Sequence, residues 1–271
     1  MSTICRWITS LLLFFIFFTG YTASCQHEYA EGKSEYFNGD VQKAIVLFTR
    51  AIEDKDSIAA SYMMRGAAKG KTGDLSGAIK DLDSSKSRDS GNYKLFFYYG
   101  RVYLLNNDPN SALRFYYIAA QKNPRDADTY DDLAMSKIEL SDLAGGIADE
   151  DTAIAIDPQN IDYYTNRGFA KMQLGQYNAA IADFNTSIGR RPSQKALANR
   201  GYAFLQTGSY QAAIDDFTKE LDIYPKDYMV FYYRGLAYEK LGQKDQACAD
   251  FKSSVDLGYL KAREEAKNVC P

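Results

Sequence analysis

From residue 25 onward, apolar positions fall into blocks with helical spacing, and the blocks repeat. Phe96, Tyr99, Gly100 and Tyr103 stand at i, i+3, i+4 and i+7, which is one face of a helix. A small residue returns at one place in every block: Gly32, Gly66, Gly100, Ala134, Gly168, Gly201 and Gly235, at spacings of 34 or 33. Twelve residues after each anchor comes a second small residue: Ala44, Ala78, Ala112, Gly146, Ala180, Ala213 and Ala247. Four further on comes a large one in six blocks, Phe48, Leu82, Tyr116, Phe184, Phe217 and Phe251, while the fourth block holds Glu150. Gly39, Gly73, Gly175, Gly208 and Gly242 mark a turn between the halves, and Pro124, Pro158, Pro192 and Pro225 close four blocks. Each block therefore predicts two helices. The turn glycine tolerates a left-handed backbone and ends the first; the proline stops the second. The small slots let the two helices approach closely, and the large side chains fill the space beside them. Such a pair cannot bury its apolar face alone, so stacked neighbours supply the core.

The period is plainest where residues 166–192, NRGFAKMQLGQYNAAIADFNTSIGRRP, are nearly repeated at 199–225, NRGYAFLQTGSYQAAIDDFTKELDIYP. Period, small slots, large slots and closing prolines together resemble the tetratricopeptide repeat family. The resemblance covers residues 25–258 in seven units, about 25–58, 59–92, 93–126, 127–160, 161–193, 194–227 and 228–258. It implies an all-α fold, a right-handed α-solenoid whose concave groove is lined by the first helices. The last stretch, DLGYLKAREEAKNVCP, breaks the period. Residues 259–271 read as a capping helix that shields the open end of unit seven.

The first 24 residues stand apart. Arg6 precedes the apolar run LLLFFIFF, and small residues follow in TGYTASC, the order of a secretory signal peptide. The run is short for a membrane span, which takes about 20 residues; an uncleaved anchor is the alternative. Thr22-Ala23-Ser24-Cys25 resembles a bacterial lipobox, in which the Cys is lipidated, although the family prefers Leu where Thr22 stands. Removing Cys5 with the signal leaves Cys25, Cys248 and Cys270, an odd count for an exported chain. A Cys248–Cys270 disulfide would fasten the cap, contributing roughly 3 kcal/mol by the chain-entropy estimate, and would leave Cys25 for a lipid anchor. Two unpaired thiols and an ordinary Cys25 are the alternatives. The chain is thereby expected in the cell envelope, in the periplasm or held to a membrane.

If the i, i+3, i+4, i+7 face points inward, the opposite face of each first helix lines the groove. That face carries Met63, Met64 and Ala67 in unit two and Lys94, Phe97, Tyr98 and Arg101 in unit three. Unit four gives Asp128, Asp131, Asp132 and Met135, and unit five Asp162, Thr165, Asn166 and Phe169. Unit six gives Lys195, Ala198, Asn199 and Tyr202, and unit seven Met229, Tyr232, Tyr233 and Leu236. Aromatic side chains supply large contact area at low entropic cost, and the acids of unit four suit a partner with basic residues. Partial burial of the aromatics and solvation of the acids are the bland alternatives. The resemblance implies that Asn166 and Asn199 hydrogen-bond a peptide backbone. The clamp for a C-terminal carboxylate found in related co-chaperones is excluded, because Asp131 and Met135 occupy the places of a basic residue and an Asn. Glu150, in its apolar slot, is expected to reach water through a small rotation of its helix. Arg65, Arg167, Arg200 and Arg234 share the slot before the anchor and are expected to pair with helix-two carboxylates such as Asp183 and Asp216.

Composition narrows the function classes. The net charge is −3 and no basic cluster is present, against a nucleic-acid binder. One His, at position 27 beside the processing point, leaves little acid–base equipment. Residues 126–132, DADTYDD, lack the Gly and terminal Glu of a calcium loop. No catalytic residue, metal or cofactor is expected. The reading is a non-catalytic scaffold that binds a peptide segment or partner helix of another protein. A structural or self-assembling envelope component is the alternative, and an enzyme or metal protein the least favoured.

Overall fold

The computed structural model describes residues 27–191 and 193–270. Residues 1–24, read above as a signal peptide, and Cys25 and Pro192 lie outside the described residues. Those described form fifteen α-helices and no strand. Six pairs are α1 (His27–Asn38) with α2 (Val41–Glu53), α3 (Ile58–Lys71) with α4 (Leu75–Lys86), α5 (Tyr93–Leu105) with α6 (Pro109–Lys122), α7 (Ala127–Glu139) with α8 (Leu143–Ile156), α9 (Ile161–Gln173) with α10 (Tyr177–Arg190), and α11 (Gln194–Gln206) with α12 (Tyr210–Ile223). The seventh is α13 (Tyr228–Lys240) with α14 (Lys244–Asp256), and α15 (Ala262–Val269) follows. The residues group into two compact bodies, one ending at Ser136 and one beginning at Lys137.

Within a pair, the anchor glycine meets the ring of the large slot. A Cβ on Gly201 would stand 2.7 Å from Phe217 Cε1, and one on Gly168 2.8 Å from Phe184 Cε1. Gly32, Gly100 and Gly235 meet Phe48, Tyr116 and Phe251 in the same way. The turns follow the marked glycines, for example Gly73 at φ +81° and Gly208 at +77°. Units three and four have no glycine there. Asn107 and Ser141 take the left-handed conformation instead, at φ +60° and +65°. In the first four units an Asp then starts the second helix: Asp40, Asp74, Asp108 and Asp142 each accept from the backbone N–H three residues on.

The arginine slot ties neighbouring pairs together. Arg65, Arg167, Arg200 and Arg234 each grip an Asp of their own second helix with two parallel bonds. For Arg200 and Asp216 both measure 2.7 Å, and for Arg234 and Asp250 both measure 2.8 Å. Asp81 and Asp183 receive Arg65 and Arg167 alike. The remaining Nη1 reaches back to the preceding pair, onto Thr49, Asp151, Asn185 and Thr218 respectively. In unit three the slot holds Tyr99, whose ring stacks on Phe115 at 4.6 Å and whose hydroxyl donates back to Asp83. In unit four it holds Leu133, and Asp149 pairs with Lys137.

Glu150 departs from expectation. Its side chain is fully buried and does not reach water. At the end of the second body, α15 packs on α14. Ala262 is buried there, and Tyr259 and Val269 pack against the cluster around Phe251. The Cys248 and Cys270 sulfurs lie at bonding distance, with Cα atoms 5.0 Å apart.

Asp216 is buried and its partner is nearly so, so removing one member strands a charge. Asp216→Ala should destabilise the protein by about 3–5 kcal/mol, whereas the double change Arg200→Met/Asp216→Leu should cost far less. Urea unfolding of the wild type, the single variant and the double would measure this.

Candidate interaction cleft

The second body carries an open cleft of about 800 Å³. Phe169 and Met172 of α9, Gln194, Ala198, Asn199 and Tyr202 of α11, and Met229, Val230 and Tyr233 of α13 form its walls. Phe217 and the segment Ile223–Tyr228 complete it. A small side chain contributes to its opening. Three residues before each anchor, unit three places Phe97, whose ring lies 6.0 Å from Tyr116, and unit seven places Tyr232, 6.0 Å from Phe251. Unit six has Ala198 there, and the space over Phe217 stays open.

Aromatic packing fixes the walls. Tyr202 meets Tyr233 edge-on at 5.0 Å, and Tyr233 lies along Phe217 at 6.3 Å. Burial pushes the Tyr233 phenol up, so it remains a neutral donor at neutral pH. The rim is apolar and exposed: Ile223 and Tyr224 are 51% and 46% accessible, and Tyr228 and Met229 are exposed beside them. Isolated exposed apolar residues are ordinary, but four lining one cleft form a contiguous patch of the kind that marks a binding surface. Polar groups are few. Asn199 and Gln194 offer amides, Asp227 uses its carboxylate to cap α13, and Lys226 is exposed.

Beneath this rim lies Glu220. It is fully buried, and neither carboxylate oxygen makes a hydrogen bond of good geometry. Burial pushes its carboxyl up, Gln194 partly offsets this, and Asp227 adds to it.

The expected groove residues therefore divide. Asn199, Tyr202 and Tyr233 line the cleft together, with Phe169, Ala198 and Met229. Lys195 is exposed on the first turn of α11 and does not line it. Asn166 is half-buried on α9. Thr165 is no groove residue: it is buried, with its hydroxyl 2.8 Å from Ser187 Oγ at the crossing with α10. Tyr232 turns to the cap, 5.1 Å from Tyr259. Gln194, Met172, Phe217 and the Ile223–Tyr228 segment had not been expected, because groove positions were counted on one face of the first helices alone.

In the first body the expected groove positions are largely filled in. Phe97 and Tyr98 are only 9% and 7% accessible. They meet edge-on at 5.4 Å, inside the core that includes Tyr116. Arg101 is exposed, its guanidinium over the Phe97 ring, and its Nε stands 3.6 Å from Asp132 Oδ2. Asp128 is exposed and Asp131 half-buried. Asp132 is only 17% accessible. Burial pushes its carboxyl up to about 7; Arg101 and Tyr116 pull it down, and Asp131 and Asp128 raise it further.

A carboxyl raised on folding binds its proton more tightly in the folded state, so its contribution is fully present below the ordinary range and is lost as pH rises through about 7. Asp132→Asn should therefore leave stability unchanged near pH 4 and raise it near pH 8, by on the order of 2 kcal/mol. Urea midpoints of both proteins across this range provide the measurement.

Comparison with known proteins places this architecture. Two models described as tetratricopeptide repeat match residues 165–228 and 229–257. No curated protein matches the sequence. Among solved structures, a tetratricopeptide repeat protein from Parabacteroides merdae is 18% identical, with 92% of this chain and 100% of that chain covered and a TM-score of 0.60. YrrB, described as a TPR protein with an unusual peptide-binding site, is 15% identical over 69% of this chain and 97% of its own, TM-score 0.61. MamA is 22% identical over 63% and 94%, TM-score 0.57. Residues 165–257 thus carry tetratricopeptide repeats, and the helix pairs before them have the fold that these solved repeat proteins share.

Proposed function

We propose that the protein is a non-catalytic scaffold that holds a peptide segment or partner helix of another protein in the cleft between α9, α11 and α13. The observation that carries this reading is the cleft itself: an apolar floor, aromatic walls and an exposed apolar rim, with two amides placed to meet backbone groups. Tyr202 and Tyr233 are anchors of the kind that dominate interface energies. YrrB, a fold relative, is described as having a peptide-binding site, which supports looking for one here. We place the protein in the cell envelope, exported by residues 1–24 and held to the membrane by a lipid on Cys25. The support is the order of charged, apolar and small residues at the N-terminus. In that compartment Cys248 and Cys270 form a disulfide that fastens α15 onto α14.

Partners captured from native envelopes by the wild type should be lost by Tyr202→Ala/Tyr233→Ala, with unchanged helical content; for an isolated partner segment the expected loss of affinity is at least about tenfold. Equal capture by both proteins would remove the cleft from the reading. A fatty-acid probe should label the wild type and not Cys25→Ser. The exported protein should show no free thiol at Cys248 or Cys270 on unfolding.

A further inference from the structure

One buried position follows its own rule along the second helices. Nineteen residues after the anchor, six of the seven units hold Ala or Ser, and all seven residues are buried. The serines are satisfied locally: Ser85 donates to the Ala59 carbonyl, Ser254 to the Tyr228 carbonyl, and Ser187 pairs with Thr165. In unit six the position holds Glu220. A carboxylate sits where its counterparts are small, and the residue that faces it in the corresponding register is Gln194.

This is a costly arrangement. A buried carboxylate without an opposite charge destabilises the free protein, and native structures leave few buried polar groups unsatisfied. Its surroundings supply a use. Glu220 lies three residues after Phe217 and four before Tyr224, and both of these line the cleft. Gln194, whose amide acts on its carboxyl, lines the cleft as well, in the first turn of α11. Asp227 adds a second negative charge at that end. A buried carboxyl therefore stands between two residues of the cleft wall along α12, and the Gln194 amide that acts on it also lines the cleft.

We propose that Glu220 is the anchor for one lysine or arginine of the segment that occupies the cleft. The proposal rests on the reading of the cleft as a peptide site and adds the chemistry of its occupant. The apolar stem of the basic side chain lies against the aromatic walls. Its charged head displaces Gln194 and gives the carboxylate the opposite charge it lacks. Apolar residues on either side of the basic one cover Ile223, Tyr224, Tyr228 and Met229. Lys226 is exposed at the rim and does not occupy the anchor.

The test pans a phage-displayed library of short random peptides against four full-chain proteins: wild type, Glu220→Ser, Glu220→Gln and Tyr202→Ala/Tyr233→Ala. Glu220→Ser restores the residue found at Ser187 and Ser254; Glu220→Gln keeps the shape and removes the charge. Circular dichroism establishes which variants are folded, and Glu220→Gln carries the comparison if the serine variant is not. Wild type should select apolar peptides with Lys or Arg at one fixed place. A synthetic peptide of that consensus should bind about tenfold tighter than its twin with norleucine at the basic place. The folded Glu220 variants should bind the two alike. Selection of apolar peptides without a basic preference, or a preference kept by both Glu220 variants, overturns the anchor and leaves the cleft standing. No selection by wild type, or equal selection by the Tyr202→Ala/Tyr233→Ala protein, overturns the cleft and the anchor together.

Discussion

In five of the seven helix pairs the packing depends on one contact, an aromatic ring laid on the bare backbone of the facing helix. At Gly201 the absence of a Cβ lets Phe217 approach so closely that even a methyl group would clash. The same contact at Gly32, Gly100, Gly168 and Gly235 sets how the two helices of those units lie against each other. A ring held this way has almost no freedom, so the residues flanking it along the helix are fixed in direction too. The Asp residues that receive the arginines stand one position before the large-slot residue, a ring in all but Leu82. Their burial and their two-point grip on arginine follow from that placement. The steric rule inside a pair thus prepares the polar rule between pairs.

The cleft opens where a variable slot of the array holds a small residue. The slot three residues before the anchor is occupied by large side chains over Tyr116 and Phe251, and by Ala198 over Phe217. Leaving out one ring does not disturb the helices, because the glycine contact and the Arg200–Asp216 pair still hold them. It opens a space with rigid walls, which is what a binding site needs to limit the entropy lost on association. Glu220 lies under the same unit, so the small residue and the buried carboxyl of unit six are both next to the opening.

Much of this could be read from the sequence. Gly168 and Gly201 announced close approach through their spacing from Phe184 and Phe217, and Arg167 and Arg200 announced their Asp partners by recurring with them. These features are periodic, and period is what a sequence displays. Phe97, Tyr98 and Thr165 were misplaced because facing away from the partner helix was equated with facing solvent. In a stacked array that side also meets neighbouring elements, and large side chains there become core. Glu150 was misjudged for a related reason: its place in the helix pair buries it whatever its polarity. The cleft was hidden because a small residue in a variable slot, Ala198, helps to open it, and Glu220 because only its comparison with Ser187 and Ser254 makes it unusual.

The Tyr99–Phe115 stack has a consequence of another kind. In units two, five, six and seven this joint is a charged pair whose desolvation penalty falls as temperature rises. In unit three it is two rings and a hydroxyl, an association that draws on the hydrophobic effect and weakens on cooling. Successive joints along one chain thus respond to heat and cold in opposite directions, and no single temperature is the best for all of them.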